Sequence, residues 1–203
     1  MDRKTLLVVV GSLVLIGLVV TGVTLFGKPA SFRGTSYVEP YPPASDFELV
    51  RDDGSSFQLS EKRGYIVLIF FGYTSCPDIC PTTLAELNQA LEKLSTEDAG
   101  RVQVVFVTVD PERDTPERTQ TYVNHFDPSF IGLSGTEQEL SKVWNGYGVF
   151  RETVEGTSAA GYLVDHTARV TLIDGDGNLR VSFGFDTPVD DIVHDLKLIL
   201  KEK

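Results

Sequence analysis

Long apolar runs and shorter alternating segments divide the chain into an N-terminal hydrophobic stretch and an α/β region. Residues 5–26 carry no charge and, at about 22 residues, are long enough to cross the hydrocarbon core of a bilayer. A cleaved signal peptide should have a shorter apolar region that ends in a small-x-small site, and residues 25–29 offer no convincing one. We therefore predict a single-pass anchor, residues 1–28, in the cell membrane. Basic residues are nearly balanced on its two sides, and we favour a cytoplasmic N-terminus with the domain on the outer or periplasmic face.

Residues 29–45 contain four prolines and show no hydrophobic period, which predicts an extended tether. Beyond it, residues 65–71 are continuously apolar, as is typical of a strand buried on both faces, and residues 102–109 predict a second buried strand. Alternation and turn residues predict further strands, and capping residues with helical spacing predict helices. The further predicted strands are 47–50, 57–59, 130–133, 170–173 and 179–185. The predicted helices are 82–94, 116–126, one that begins after Thr136, and one from Pro188 to Lys201. Residues 152–161 are predicted to be a polar loop.

This order of elements has a mostly parallel half followed by an antiparallel half. It predicts an α/β fold of the thioredoxin-like three-layer sandwich type over residues 46–203. The formal charge of −11 and the isoelectric point near 4.7 argue against binding to nucleic acid and to anionic lipid. Protein partners should accordingly be neutral or carry basic patches.

The chain has two cysteines, Cys76 and Cys80, and both lie where the first long apolar run passes through a loop into a predicted helix. Unpaired backbone N–H groups at a helix N-terminus favour a thiolate, so we expect an acidic, redox-active dithiol. Helical positions i and i+4 have Cα atoms roughly 6 Å apart, near the upper limit for a disulfide. The pair can therefore form a disulfide or bind a soft ion such as Cu(I) or Zn(II). Ser75 and Asp78 match a helix-capping pattern.

Among the three histidines, His166 is the candidate ligand because it lies on the turn that enters the final hairpin. In a thioredoxin-like fold that turn faces the dithiol, and ordinary thioredoxins place a cis-proline there, whereas this chain has no proline between Pro128 and Pro188. Two thiolates and one neutral imidazole form a soft set that suits Cu(I) and can be oxidised to Cu(II), while zinc would want a fourth ligand. His125 and His194 are expected to be solvated or structural.

Three segments of the chain match the pattern of a known family: FGYTSCPDICPTTL (71–84), VDPERDTPE (109–117) and VDHT (164–167). Through them the chain resembles the Sco/SenC family of membrane-tethered, thioredoxin-fold proteins linked to copper-centre assembly in cytochrome c oxidase. The resemblance implies copper ligands at Cys76, Cys80 and His166 and an acidic residue near the site at Asp110, which is also readily explained as a turn residue.

Two functions of different classes fit these residues. The first is a copper chaperone that supplies the binuclear copper centre of cytochrome c oxidase subunit II, with another periplasmic copper chaperone as a further partner. The second is a thiol-disulfide oxidoreductase that reduces the cysteines of that oxidase site. The cysteine spacing, the histidine and the missing cis-proline favour the metal. A peroxidase or redox sensor is disfavoured because we expect no basic residue near Cys76.

The uncharged run in residues 5–26 generates a prediction about topology. The full-length chain should stay with membranes after alkaline carbonate washing, and its domain should be open to protease from the outer face. Release by the wash, or a mature N-terminus near Ser31, would indicate a cleaved signal peptide instead.

Overall fold

The structure, a computed structural model, describes residues 2, 11–16, 31–158 and 161–202. For residues 156–158 it describes the backbone only. It divides into two compact units, Met1–Ser31 and Phe32–Lys203. Residues 11–16 are helical. Within the described ranges, no helix combines the length and apolar character needed to span a bilayer. Most of the predicted span 5–26 lies outside these ranges, and the anchor stays a prediction.

The second unit alternates strands and helices much as the hydrophobic pattern predicts. Its strands are β1 (Thr35–Ser36), β2 (Glu48–Val50), β3 (Ser56–Gln58), β4 (Ile66–Gly72), β5 (Val102–Thr108), β6 (Ile131–Leu133), β7 (Arg151–Ser158), β8 (Gly161–His166), β9 (Arg169–Ile173) and β10 (Leu179–Gly184). Its helices are α1 (Ile79–Glu92), α2 (Thr96–Ala99), α3 (Pro116–Val123), α4 (Glu137–Gly146) and α5 (Val189–Ile199), with a 3₁₀ turn at Leu59–Lys62.

A mixed sheet in the order β1-β10-β9-β4-β5-β6 forms the centre of this unit. Strands β4, β5 and β6 run parallel, with Phe70 opposite Phe106, and β9 pairs antiparallel with β4. Every residue of β4 is buried, which agrees with its unbroken apolar sequence. Helix α1 packs against α5, and α3 packs against β5 and β6. The parallel pairing brings the carboxyl ends of β4 and β5 to the same edge.

The prediction of a polar loop at residues 152–161 is wrong, because this region forms a β-hairpin from β7 and β8. The two strands pair with each other in a sheet of their own, in which Arg151 lies opposite His166. Val164 is the one buried residue among the described side chains of the hairpin. Since most of these positions are polar and exposed, the strands lack the apolar alternation by which a half-buried strand is recognised.

The predicted domain boundary at residue 46 also differs from the structure, in which the compact unit begins at Phe32. Thr35 pairs with Ser182 of β10, and the Ala44 N–H donates to the Gly177 carbonyl at 2.9 Å. The segment is extended, as its prolines predict, but it is bound to the domain. Backbone hydrogen bonds hold it, and these leave no hydrophobic period in the sequence.

A buried carboxylate on α5 fixes the beginning of this segment. Asp195 is fully buried and accepts hydrogen bonds from the backbone N–H groups of Arg33, at 2.9 Å, and Gly34, at 2.8 Å. Gly34 is required here, since a Cβ would come within 2.5 Å of the Val181 side chain. At Gly34 the segment therefore docks by its backbone, in a space that admits no side chain.

Replacing this carboxylate should loosen the segment and destabilise the unit. We expect Asp195→Ala to lower the free energy of urea unfolding of Phe32–Lys203 by roughly 2–4 kcal/mol, because backbone donors lose a charged acceptor. The matched control is Asp191→Asn on the same helix, whose partly exposed ion pair with Arg33 should contribute less than about 1 kcal/mol. Equal effects of the two substitutions would show that Asp195 has no special role.

Candidate metal centre

Two of the predicted ligands follow the carboxyl end of β4, and the third lies on the β7–β8 hairpin. Cys76 lies in the loop that follows β4, Cys80 lies in the first turn of α1, and His166 is the last residue of β8. Loops at the carboxyl ends of parallel strands are the usual position of functional sites in open α/β sheets. Two separate stretches of the chain, residues 76–80 and the end of β8, thus supply the predicted ligands.

The start of α1 is capped by a cysteine. The helix begins at Ile79, and Asp78 at the cap position makes no side-chain hydrogen bond to the helix. Instead the Cys80 N–H donates to the Cys76 sulfur, with N and Sγ 3.5 Å apart. The predicted cap by Ser75 and Asp78 is therefore wrong, and Ser75 Oγ accepts a hydrogen bond from Arg118. A thiolate at this position receives the donors that a helix N-terminus leaves unpaired.

The two thiols are free but occupy different environments. Cys76 is partly exposed, whereas Cys80 is fully buried. A Cβ on Gly72 would lie 2.9 Å from the Cys80 sulfur and 2.8 Å from the Phe106 ring. Glycine at the end of β4 is thus what allows Cys80 to pack against the strand.

This environment separates the acidities of the two sulfurs. The hydrogen bond from the Cys80 thiol is the largest effect that lowers the pKa of Cys76, to about 5. The N–H groups of Asp78 and Cys80 and an electrostatic interaction with the His166 ring act in the same direction, against desolvation by burial. The same hydrogen bond, followed by burial, raises the pKa of Cys80. At neutral pH Cys76 is therefore a thiolate and Cys80 a thiol whose proton is hydrogen-bonded to the Cys76 sulfur.

His166 has one ring nitrogen engaged and the other without a partner. Nδ1 lies 3.0 Å from the Val164 carbonyl oxygen, and since a carbonyl can only accept, Nδ1 carries the proton. Nε2 is buried and has no hydrogen-bond partner in the described part of the chain. The ring packs edge-on against Tyr73, with centroids 5.7 Å apart. A histidine that binds a metal usually donates its other N–H to a carbonyl in this way.

The donors suit a soft metal, but no group of three or more His, Cys, Asp or Glu side chains is arranged to hold an ion in the described ranges. Cys76 and Cys80 are joined by their hydrogen bond, and His166 acts on Cys76 electrostatically. Two sulfurs and the free imidazole nitrogen form the soft set expected for copper. The ligand assignment of these three residues stays a prediction.

Asp110 is fully buried, and both of its carboxylate oxygens have protein partners. Oδ1 accepts from the Tyr162 hydroxyl at 2.7 Å, and Oδ2 accepts from Nε of Arg113. Its backbone carbonyl also accepts from the Asp114 N–H at 2.9 Å, so it forms the predicted turn as well. Asp110 is therefore linked to β8 through Tyr162.

Sequence reasoning missed Asp114, which shapes the loop that carries Cys76. This fully buried carboxylate accepts from the Thr74 N–H at 2.9 Å, the Thr74 hydroxyl at 2.6 Å and the Thr108 hydroxyl at 2.8 Å. Burial raises its pKa against these hydrogen bonds. The one sequence feature that could have indicated Asp114 is its position four residues after Asp110, in the loop that follows a buried strand.

The expectation that no basic residue lies near Cys76 also needs correction. The Arg118 guanidinium donates to the Thr74 hydroxyl at 2.8 Å and to the Ser75 hydroxyl at 3.0 Å. Arg118 lies on α3, far from the dithiol in sequence, and only the folded chain brings it to this loop. A cation therefore borders the loop that carries the dithiol.

The fold and the site define a thioredoxin-like protein with an acidic dithiol and a histidine beside it. The family model described as SCO1/SenC matches residues 37–201. The SCO2-like protein of Rickettsia felis is 37% identical over 171 residues, which cover 84% of this chain and 83% of that protein. The chain belongs to the SCO1/SenC family.

Solved structures show the same fold. The apo Sco1 protein from Thermus thermophilus is 40% identical, with a TM-score of 0.76 over 85% of this chain and 99% of that one. Bradyrhizobium japonicum ScoI, solved with copper bound, is 38% identical, with a TM-score of 0.69 over 77% of this chain and 99% of that one. The predicted thioredoxin-like α/β fold and family are thus confirmed.

The acidity of Cys76 generates a prediction about pH dependence. The rate at which iodoacetamide alkylates Cys76 in the reduced chain should rise with pH around a midpoint of about 5. Cys80→Ala should move the midpoint upward, because it removes the largest pKa-lowering interaction. A wild-type midpoint near that of an ordinary thiol, about 8.5, would contradict the structure.

Stability provides a second readout of the same acidity. The pKa of Cys76 is lower in the folded than in the unfolded chain, so its contribution is complete above the unfolded pKa and is lost as pH falls through about 5. The stability difference between the reduced wild type and Cys76→Ser should therefore grow as pH rises from about 5 to about 8.5.

Proposed function

We propose that this protein is a membrane-anchored copper metallochaperone that binds copper through Cys76, Cys80 and His166. Copper is its cargo, passed to the binuclear copper centre in subunit II of cytochrome c oxidase. Family membership supports copper as the metal, since relatives such as B. japonicum ScoI have been solved with copper bound. The oxidase as target rests on the resemblance of the dithiol and histidine motifs to the Sco/SenC pattern.

The observation that carries the proposal is the state of His166. Its Nε2 is buried without a hydrogen-bond partner among the described residues, while its Nδ1 is held by the Val164 carbonyl. Leaving a buried polar atom unpaired costs about 1–3 kcal/mol, so such an atom calls for a role that uses the lone pair. A soft metal ion bound by the neighbouring thiolate would use it.

The second candidate function is thiol-disulfide exchange, and the asymmetry of the two thiols favours it. The partly exposed Cys76 thiolate can attack a disulfide of the target and form a mixed disulfide. Cys80, after losing its proton, can then attack the Cys76 sulfur, which releases the reduced target and leaves a Cys76–Cys80 disulfide. This reaction uses both sulfurs and has no role for the free nitrogen of His166.

Partners follow from charge and from the location of the site. The net charge of −11 favours neutral or basic docking surfaces, and the oxidase copper domain and a second periplasmic copper chaperone are the proposed partners. A site on the outer face of the membrane, as the predicted anchor implies, would lie in the compartment where such partners exchange copper.

His166→Ala separates the two functions. We expect the variant to keep a folded domain and a reversible Cys76–Cys80 disulfide, since the imidazole forms no bond in either redox state. Its copper affinity should fall by more than the roughly 10- to 100-fold typical of an outer-shell change, and cells that carry it should fail to assemble active oxidase.

His125→Ala is the matched control. His125 likewise has one ring nitrogen against a backbone carbonyl, that of Thr121 at 2.7 Å, but it is not one of the proposed ligands. Copper binding and oxidase assembly should be unchanged in this variant. Fully active oxidase in His166→Ala cells would refute copper delivery and leave the reductase as the function.

A further inference from the structure

The hairpin that carries His166 is weakly supported by its own packing. Strands β7 and β8 pair only with each other within the described sheets, and Val164 alone is buried among the described side chains of the hairpin. An isolated two-stranded hairpin is at best marginally stable in water. Contacts with the rest of the domain must therefore hold it.

One set of contacts lies on the β7 side. Arg151 forms an ion pair with Glu137 at 2.8 Å and lies 4.9 Å from the Trp144 ring centre, both on α4. The Thr167 N–H donates to the Phe150 carbonyl at 3.0 Å. The Glu137 side chain is more than half exposed, so this ion pair should add little stability.

The other set, on the β8 side, is centred on the buried carboxylate of Asp110. Oδ1 of Asp110 accepts from the Tyr162 hydroxyl at 2.7 Å, and its Oδ2 is paired with Arg113. The Arg113 guanidinium lies 3.7 Å from the Tyr162 ring centre and donates to the Tyr162 carbonyl at 3.0 Å. Tyr162 also contacts Glu112, with its hydroxyl 3.2 Å from Oε2. One tyrosine of the hairpin is thus held by its ring, its hydroxyl and its backbone.

These contacts continue toward the histidine. The Arg113 guanidinium lies 5.7 Å from the Tyr73 ring centre, and Tyr73 packs edge-on against His166. Tyr73 belongs to the loop that carries Cys76. The cluster therefore joins three segments, the dithiol loop, the loop after β5, and β8.

We propose that Tyr162, Asp110 and Arg113 form a latch that holds β8 against the loop after β5 and so positions His166 beside the dithiol. Asp110 is then a positioning residue that acts through Tyr162. The inference that the latch strengthens copper binding rests on the proposed function. The inference that the latch holds the hairpin is independent of that function.

The energetics favour the latch as the main attachment. Asp110 is fully buried, and its charge is balanced by an Arg113 side chain that is only 19% exposed. Hydrogen bonds to a charged group are stronger than neutral ones, and a buried carboxylate that loses a donor is costly. Opening β8 would break the hydrogen bond from the Tyr162 hydroxyl to this carboxylate, so the closed arrangement is favoured.

Tyr162→Phe tests the latch because it removes the hydroxyl and keeps the ring against Arg113. We expect amide hydrogen exchange in residues 161–166 of the full-length, metal-free chain to become roughly 10- to 100-fold faster, as loss of a hydrogen bond to a charged group implies. Exchange in β4 and β5 should be unchanged. Asp110→Asn, which weakens the ion pair without changing side-chain shape, should act in the same direction.

Two further measurements connect the latch to the metal. Copper affinity should fall in Tyr162→Phe by about 10-fold, within the range for outer-shell changes and less than in His166→Ala. The reduction potential of the Cys76–Cys80 pair should change little, because none of the latch contacts involves a sulfur and His166 affects the Cys76 pKa less than the hydrogen bonds from Cys80 and Asp78 do. Tyr65→Phe, at an exposed tyrosine just before β4, is the control and should change none of these quantities.

The outcomes separate the latch from the function. Unchanged exchange in residues 161–166 would overturn the latch. Faster exchange with unchanged copper affinity would overturn its role in positioning His166. Failure of the wild type to bind copper would overturn the proposed function, while the exchange data would still decide whether the latch exists.

Discussion

The buried carboxylate of Asp114 is the constraint on which the dithiol loop depends. It accepts hydrogen bonds from two donors of Thr74, at the start of that loop, and from Thr108, at the end of β5. A fully buried carboxylate needs such donors, since burial without them is costly. Nε of Arg118 lies 3.7 Å from Oδ1 of Asp114. Satisfying Asp114 therefore fixes the path of the chain after β4, and Cys76 lies two residues beyond Thr74.

With the path of the loop fixed, the cysteine spacing acquires its chemical meaning. Cys76 lies where a helix usually has an aspartate or serine cap, so the unpaired N–H groups of α1 act on sulfur. Cys80 is directed into the core against Gly72, where ionisation is disfavoured. The i and i+4 positions thus differ in acidity first because the Cys80 thiol donates to the Cys76 sulfur, and further because Cys76 faces the helix end and Cys80 faces the strand. The same difference would serve an attacking thiolate or a metal ligand.

The sequence predicted the sheet, the helices and the dithiol well because each depends on local pattern. Strand β4 is apolar throughout, β5 is mostly apolar, and α4 has the capping box of Thr136 and Glu139 that its sequence indicates. The β7–β8 hairpin and the docked segment from Phe32 escaped because exposed strands and backbone hydrogen bonds carry no hydrophobic period.

The parts of the site that were missed share a different cause. Asp114, Arg118 and Tyr162 act through contacts between segments far apart in the chain. A threonine that binds a carboxylate 40 residues away looks, in sequence, like any polar loop residue. Cys76, Cys80 and His166 could be singled out because sulfur and imidazole have few roles. Carboxylates, hydroxyls and guanidinium groups have many, and only the fold selects among them.

The two functions considered for the dithiol make different demands on how the site is supported. Thiol exchange needs only the two sulfurs, which lie on the loop fixed by Asp114 and on a helix packed in the core. Copper delivery needs a third donor that can bind the ion and then give it up, so its attachment should be separable from the core. His166 meets this requirement because it lies on a hairpin outside the main sheet, with one buried side chain among those described and a few specific contacts. If the third donor lay in the core, releasing it would disturb the fold. On the hairpin, its release would act on β7 and β8, which pair with each other outside the main sheet. A thiol reductase would therefore gain nothing from a histidine placed outside the core, because its reaction does not use one. A copper carrier would gain a third donor through which it can release its cargo.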